Sequence, residues 1–131
     1  MIQTLATVVL NEMIAPDYGR VRLSCDAGFN RARPGQFVML GFPDAVDPLL
    51  RRPFSIHRLI AGENGAAQIE LLYKVVGKAT RRLSQLPAGE RLSLLGPLGR
   101  GFQVPAGTRR LYCVAGGFGV ARMSTPFAGR A

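Results

Sequence analysis

The sequence predicts a mainly β fold, a small antiparallel barrel that carries one short helix. Two features support that expectation. Short segments of alternating polarity, rich in β-branched residues, are separated by turn signals such as Pro34-Gly35 and Asn64-Gly65. The 16 glycines and 9 prolines follow no fixed period, which suits tight turns better than a collagen or a linker. Six or so antiparallel strands would leave exposed edges unless the sheet closes, so a closed or nearly closed barrel is the natural arrangement.

The elements follow in order. IQTLATVVLNEMI, from Ile2, alternates and reads as a first strand. YGRVRLSCD sets Val21, Leu23 and Cys25 against Arg20, Arg22 and Ser24, the pattern of a half-buried strand. QFVMLGF follows the Pro34-Gly35 turn. PFSIHRLI and AQIELLYKVV form the next pair, joined through AGENGA, whose Asn64-Gly65 favours a hairpin. KATRRLSQL, between Gly77 and Pro87-Ala88-Gly89, predicts the helix, and RLSLLGPLG a strand ending in a glycine-rich turn. At Thr108 the character changes. RRLYCVAGGFGVA reads as a hydrophobic strand running straight into glycines, the opening of a nucleotide-binding βα unit, yet only RMSTPFAGRA follows it.

Composition narrows the function. The 131 residues include 17 basic and 8 acidic ones, a net charge of +9, and 15 of the basic residues are arginine. Arginine dominates where planar contacts to phosphate or carboxylate matter, so the candidates are nucleic acid, an acidic partner or a phosphate-bearing cofactor. Cys25 and Cys113 are far apart and lack metal-ligand spacing; a disulfide framework, a zinc site and an iron–sulfur cluster are unsupported, and both thiols are expected as small core residues on strands. No apolar run approaches the roughly 18 residues of a membrane span, and the N-terminus has neither an early positive charge nor a small-residue cleavage site. A cytoplasmic protein is expected.

The chemistry gathers in two places. In RRPFSI, Pro53 belongs at a strand start or edge, where Arg51 or Arg52 could grip a phosphate, Phe54 lie along a flat ring and Ser55 offer a hydroxyl to a ring nitrogen. In LLYKVVGKAT, a strand with Tyr73 and Lys74 runs into Gly77-Lys78-Ala79-Thr80. Backbone amides at the helix start, backed by Thr80 as a cap, suit an anion. Together the two devices suggest a ligand with both a ring and a pyrophosphate.

RRPFSI, LLYKVVGKAT, LLGPLGRGF and VAGGFGVA, in that order, resemble the ferredoxin-reductase-type flavoproteins, among them the electron-transfer subunits of dihydroorotate dehydrogenase B. The resemblance covers nearly the whole chain and implies a six-stranded Greek-key barrel that binds FAD. It implies that Arg52 pairs with the pyrophosphate, that Phe54 packs near the isoalloxazine or ribityl chain, and that Ser55 approaches the ring, with Pro53 between them. Leu72, Tyr73 and Lys74 match the strand along the other side of FAD, and Gly77, Ala79 and Thr80 match the turn around the pyrophosphate. The family usually has glycine where Ala79 stands. GPLGRGF, from Gly96 to Phe102, resembles the loop leading from the flavin barrel to a nicotinamide domain.

In the full-length family, a hydride from NADH would reduce the flavin, which passes electrons through an iron–sulfur cluster to a catalytic dehydrogenase subunit. This sequence departs from that pattern after VAGGFGVA, where Arg122-Met123 stands in place of the expected continuation. It reads as a flavin barrel over 1–104 and, over 105–131, a truncated start of a nucleotide-binding α/β domain. Gly116, Gly117 and Gly119 resemble pyridine-nucleotide contacts, but without the rest of that domain no nucleotide binding is expected, and two cysteines cannot hold the cluster. No catalytic residue and no metal ligand is assigned.

Other readings stay open on the residues alone. Arg51 and Arg52 suit solvated surface charges, Tyr73 and Phe54 suit core aromatics, and Lys78 with Arg81-Arg82 suits a wet helix face. His57 has no companion acid or nucleophile in view. A small basic barrel binding nucleic acid would explain the charge, but 10 aromatic residues without tryptophan give no evident stacking platform. A non-functional folded remnant is the third reading. Residues 109–115 would then pack on the barrel, pair with a second copy or be poorly ordered.

Overall fold

The computed structural model describes residues 1–44 and 50–117. Six strands form it: β1 (Ile2–Ala15), β2 (Tyr18–Cys25), β3 (Phe37–Gly41), β4 (Arg52–Ala61), β5 (Ala67–Lys74) and β6 (Arg91–Leu98), with one helix, α1 (Lys78–Ser84), between the last two. They close into a barrel in the order β1-β2-β5-β4-β3-β6, every neighbouring pair antiparallel. The expected mainly β, six-stranded barrel with one short helix is the observed fold. The crossing from β2 to β5, with β3 and β4 returning on the far side, is the Greek-key feature.

Alternation decides what the barrel encloses. Val21, Leu23 and Cys25 of β2 face inward against Ile69, Leu71 and Tyr73 of β5, as period-2 spacing requires. The Cys25 thiol, buried and beside Asp26, is pushed up from its ordinary value to about 12, chiefly by loss of solvent. Asn64 and Gly65 both adopt positive φ, 53° and 80°, which accounts for the hairpin signal at that dipeptide. Two short 3₁₀ turns, Ala27–Arg31 and Glu63–Gly65, were not legible as helices.

Bulges reset the alternation. In β1 the register passes from Val8↔Leu23 to Leu10↔Arg22, so Val9 is an extra residue. Beyond it Asn11 faces Val21 and the interior, while Glu12 faces Arg20 outside and forms an ion pair with it. In β4 the step from Ile56↔Leu71 to Arg58↔Glu70 leaves His57 as the bulged residue. Glu70 has outward parity, yet it is wholly buried, its carboxylate accepting from Arg22 Nε at 3.3 Å and Nη2 at 3.0 Å.

The end of β6 is tied down. Gln36 Nε2 donates to the Gly99 carbonyl at 2.8 Å, and the Phe102 amide to the Pro34 carbonyl at 2.6 Å. Residues 108–116 form neither strand nor helix and are exposed, so the strand expected at 109–115 is not formed among the described residues. Each of β1 to β6 already has two neighbours in the ring, and none of the described strands pairs with this segment. Cys113 is therefore exposed and off the sheet, contrary to the core position expected for it. Gly116 and Gly117 lie in this exposed stretch; Gly119 lies outside the described residues.

Candidate functional site

The two segments singled out by sequence meet at one place in the barrel wall. The β4–β5 ladder runs from Ala61↔Ala67 to Ile56↔Leu71 and goes no further. Beyond that point Arg52–Ser55 pair with Leu40–Phe37 of β3, while Leu72–Lys74 pair with Arg20–Tyr18 of β2. Two strands that follow different neighbours separate, and the barrel opens into a slot flanked by Arg52, Pro53, Phe54 and Ser55 on one side and Leu72, Tyr73 and Lys74 on the other. α1 begins four residues after Lys74, so Gly77, Ala79 and Thr80 follow closely from one lip of the slot.

The turn into α1 has an open concave start. Gly77 is the N-cap, with extended backbone (φ −161°) and no side chain to bond the first-turn amides. Among the described residues a Cβ placed there meets nothing within 4 Å, so neither backbone conformation nor packing against those residues requires glycine at this position. Thr80 is not the cap expected from the sequence. It stands at N3, and its Oγ1 accepts from the Val76 amide at 2.9 Å and the Gly77 amide at 3.1 Å. Its hydroxyl thus fixes the turn without occupying the Ala79 and Thr80 amides.

Arg51 is half-buried with its stem across Gly41, and its Nη1 is buried without a hydrogen-bond partner among the described residues. The lack of a Cβ at Gly41 lets the stem lie this close. Arg52 is exposed, and the carboxylates paired with arginine among the described residues are those of Glu12 and Glu70, which hold Arg20 and Arg22. A buried guanidinium nitrogen without an acceptor and an exposed guanidinium beside it both suit an anionic ligand.

Tyr73 does not face the slot. Its side chain is only 2% exposed, because residues 69, 71 and 73 share the inward face of β5. The ring lies over Gly19, where a Cβ would come within 2.1 Å of it, and its hydroxyl donates to Asn11 Oδ1 at 2.7 Å. Burial raises the Tyr73 hydroxyl's pKa, partly opposed by that bond. The core-aromatic reading holds for its side chain, leaving Leu72, Lys74 and the strand backbone at the lip. Phe54 is half-buried and packs against the core. Lys74 lies over the Tyr18 ring, 5.5 Å from its centre. Arg82 is no wet helix face: its guanidinium stacks on Phe42 at 4.2 Å.

Asn11 was not visible as important in the sequence. Its Nδ2 donates to the carbonyls of Leu83, at 2.8 Å, and Leu86, at 2.9 Å, while its Oδ1 receives Tyr73. The available signal was the run Val8-Val9-Leu10, three apolar residues that break the two-residue period just before a polar one. A groove of about 460 Å³ lies at the other end of α1, between Leu5, Phe42, Arg82, Leu86 and Arg91, and none of the expected cofactor residues lines it. No group of three or more metal-ligating side chains occurs among the described residues.

No family model matches the chain. Among curated proteins, the electron transfer subunit of dihydroorotate dehydrogenase B (NAD(+)) from Desulforamulus reducens is 40% identical over 116 residues, 88% of this chain and 43% of that protein. The chain spans less than half the length of the curated relatives it matches, 43% and 44% in the first two. Among solved structures, the ferredoxin reductase of carbazole 1,9a-dioxygenase superposes with a TM-score of 0.76 at 25% identity, over 94% of this chain and 37% of that one. An NADH-dependent reduced ferredoxin-NADP oxidoreductase studied for flavin-based electron bifurcation gives a TM-score of 0.64 at 28% identity, over 76% of this chain and 34% of its own.

Proposed function

We propose, on the premise that this chain belongs to the ferredoxin-reductase-type family of the dihydroorotate dehydrogenase B electron transfer subunits, that it is the flavin-holding part of an electron-transfer protein and that its ligand is FAD. The observation that carries the proposal is the slot. The barrel opens where β4 and β5 part, and the two motifs shared with the family supply its lips and the helix start beside it. The residues fit the group chemically. Arg51 Nη1 lacks an acceptor among the described residues, Arg52 is exposed, and the glycine at position 77 leaves room for close approach to the turn.

In this reading Arg52 and the Gly77–Thr80 turn hold the pyrophosphate, and Pro53, Phe54, Ser55, Leu72 and Lys74 flank the ring-bearing end. Bound flavin supplies the redox chemistry, accepting and releasing electrons. The protein binds it, orients it and excludes water from one side through the apolar faces of Phe54 and Leu72. We further propose a division into a flavin barrel over 1–104 and the beginning of a second, nucleotide-binding unit over 105–131, supported by the bonds that tie Gly99 and Phe102 back to the barrel. NADH as electron donor and an iron–sulfur-linked dehydrogenase subunit as partner belong to the same proposal.

The test is an absorbance spectrum after incubation with FAD and gel filtration, followed by titration of Arg52→Ala. Retained flavin near one per chain is expected. Loss of one charge-assisted contact, about 1.5–3 kcal/mol, should weaken FAD by roughly 10- to 100-fold and leave riboflavin nearly unchanged. A protein that takes up no flavin overturns the proposal; equal weakening of both ligands overturns the role of Arg52.

A further inference from the structure

The α1 turn can meet a ligand held by β4 only if the helix is held at a fixed angle to the barrel. α1 is short, with 7 residues, and among the strands β1 is the one it packs against most. At 1.5 Å per residue it is about 10 Å long, so a tilt of about 10° about one end displaces the other by about 2 Å, beyond hydrogen-bond tolerance. What fixes its C-terminal end therefore sets where its N-terminal turn stands.

Asn11 is placed to do this. Its amide group donates to the carbonyls of Leu83, which also accepts from the Leu86 amide, and of Leu86, just past the end of α1, and its carbonyl oxygen receives the Tyr73 hydroxyl. One side chain thus joins β1, the end of α1 and β5, the strand that forms one lip of the slot. All three bonds lie between 2.7 and 2.9 Å and are partly buried, where an unmet partner is costly. The Tyr73 ring is itself immobilised over Gly19. The Val9 bulge is what turns Asn11 inward; without the extra residue its side chain would project from the outer face.

We propose that Asn11 is a positioning residue of the cofactor site, holding the Gly77–Thr80 turn in register with Arg52–Ser55 through α1 and Tyr73. The inference rests on the FAD reading above and adds to it a residue outside both motifs. It predicts an asymmetry: loosening α1 should penalise the part of the ligand that meets the turn, the pyrophosphate, and spare the ring.

The experiment compares wild type, Asn11→Ala and Tyr73→Phe in two measurements on the full chain. The first is amide exchange without ligand. Faster exchange confined to the α1 amides, Arg81 included, is expected for Asn11→Ala and to a smaller degree for Tyr73→Phe, with β2 and β6 unchanged. The second is the ratio of FAD to riboflavin affinity, expected to fall about tenfold for Asn11→Ala and about threefold for Tyr73→Phe. A uniform rise in exchange, or parallel loss of both ligands, would reduce Asn11 to a stability residue and overturn the proposal. Unchanged α1 exchange in a folded variant overturns it as well. If Asn11→Ala does not fold, Tyr73→Phe, which keeps the ring in the core, decides by the same criteria. Failure of wild type to bind FAD is a separate result: it overturns the functional reading and with it the cofactor role of Asn11.

Discussion

Replacing Gly77 by serine sets two effects of opposite sign against each other. The backbone at 77 is extended, a conformation open to any residue, and the Cβ would enter empty space, so the folded barrel should accept the side chain without strain. Serine at an N-cap can accept from the N3 amide, here that of Thr80, whose own hydroxyl already accepts from the Gly77 amide. The substitution would complete a reciprocal capping box, worth a few tenths of a kcal/mol over glycine. Removing a glycine also narrows the unfolded ensemble, for a combined gain of about 0.5–1 kcal/mol. For a barrel of this size that corresponds to a rise in Tm of about 2–6 °C. The same hydroxyl occupies the space left by the missing Cβ and takes one of the amides assigned to the pyrophosphate. FAD affinity should drop by at least about tenfold, close to 1.4 kcal/mol. Calorimetry of the ligand-free protein and a flavin fluorescence titration measure the two effects separately. A variant with higher Tm and unchanged FAD affinity would refute the assignment of this turn to the ligand. A variant with lower Tm would refute the capping argument itself.

Two further substitutions test the interior. Gly19→Ala drives a Cβ to within 2.1 Å of the Tyr73 ring and should cost about 2–3 kcal/mol by overpacking, read from urea unfolding. Because the clash is with that ring, Gly19→Ala combined with Tyr73→Leu should be less damaging than the sum of the single changes; strict additivity would show the contact is not the cause. Alkaline stability reports on Cys25. Its folded thiol holds its proton up to about pH 12, whereas an exposed thiol loses it near pH 9. The native state then binds more protons than the unfolded one across this window, so the contribution is fully present below pH 9 and is lost as pH rises toward 12. Cys25→Ala should flatten the fall in stability over that range, and an unaltered slope would mean that burial of this thiol does not control it.

The strands were legible because each contains a clear two-residue period bounded by turn dipeptides, and the helix because Gly77 and Pro87-Ala88-Gly89 bracket it. The motif residues were legible from their order along the chain. Hidden from that reading were the features that depend on which strands become neighbours. The slot exists because Arg52–Ser55 and Leu72–Lys74 pair with different partners, a fact no local pattern records. Tyr73 looked available for a ligand until its parity placed it over Gly19. Glu70 has the parity of a solvated residue, and its pairing with Arg22 on the neighbouring strand appears only once β2 and β5 are side by side. The apolar run after Thr108 has strand composition, but composition cannot supply a strand to pair with, and none of the described strands takes it up.

The ring closes by joining β1 to β6, the first strand to the last, with Ile2 opposite Gly96. A ribosome releases β1 long before β6 has been made. Until then the chain can form the local hairpins β1–β2 and β3–β4–β5, but one edge of β1 waits unpaired, with Ala6 and Val8, buried in the finished barrel, not yet covered by β6. Closure is a long-range event that local contacts cannot bring about earlier, so the rate at which this chain becomes a barrel is set by the encounter of its two ends. Newly made chains are therefore most exposed to aggregation and proteolysis in the interval before Arg91–Leu98 emerges, whatever the stability of the finished fold.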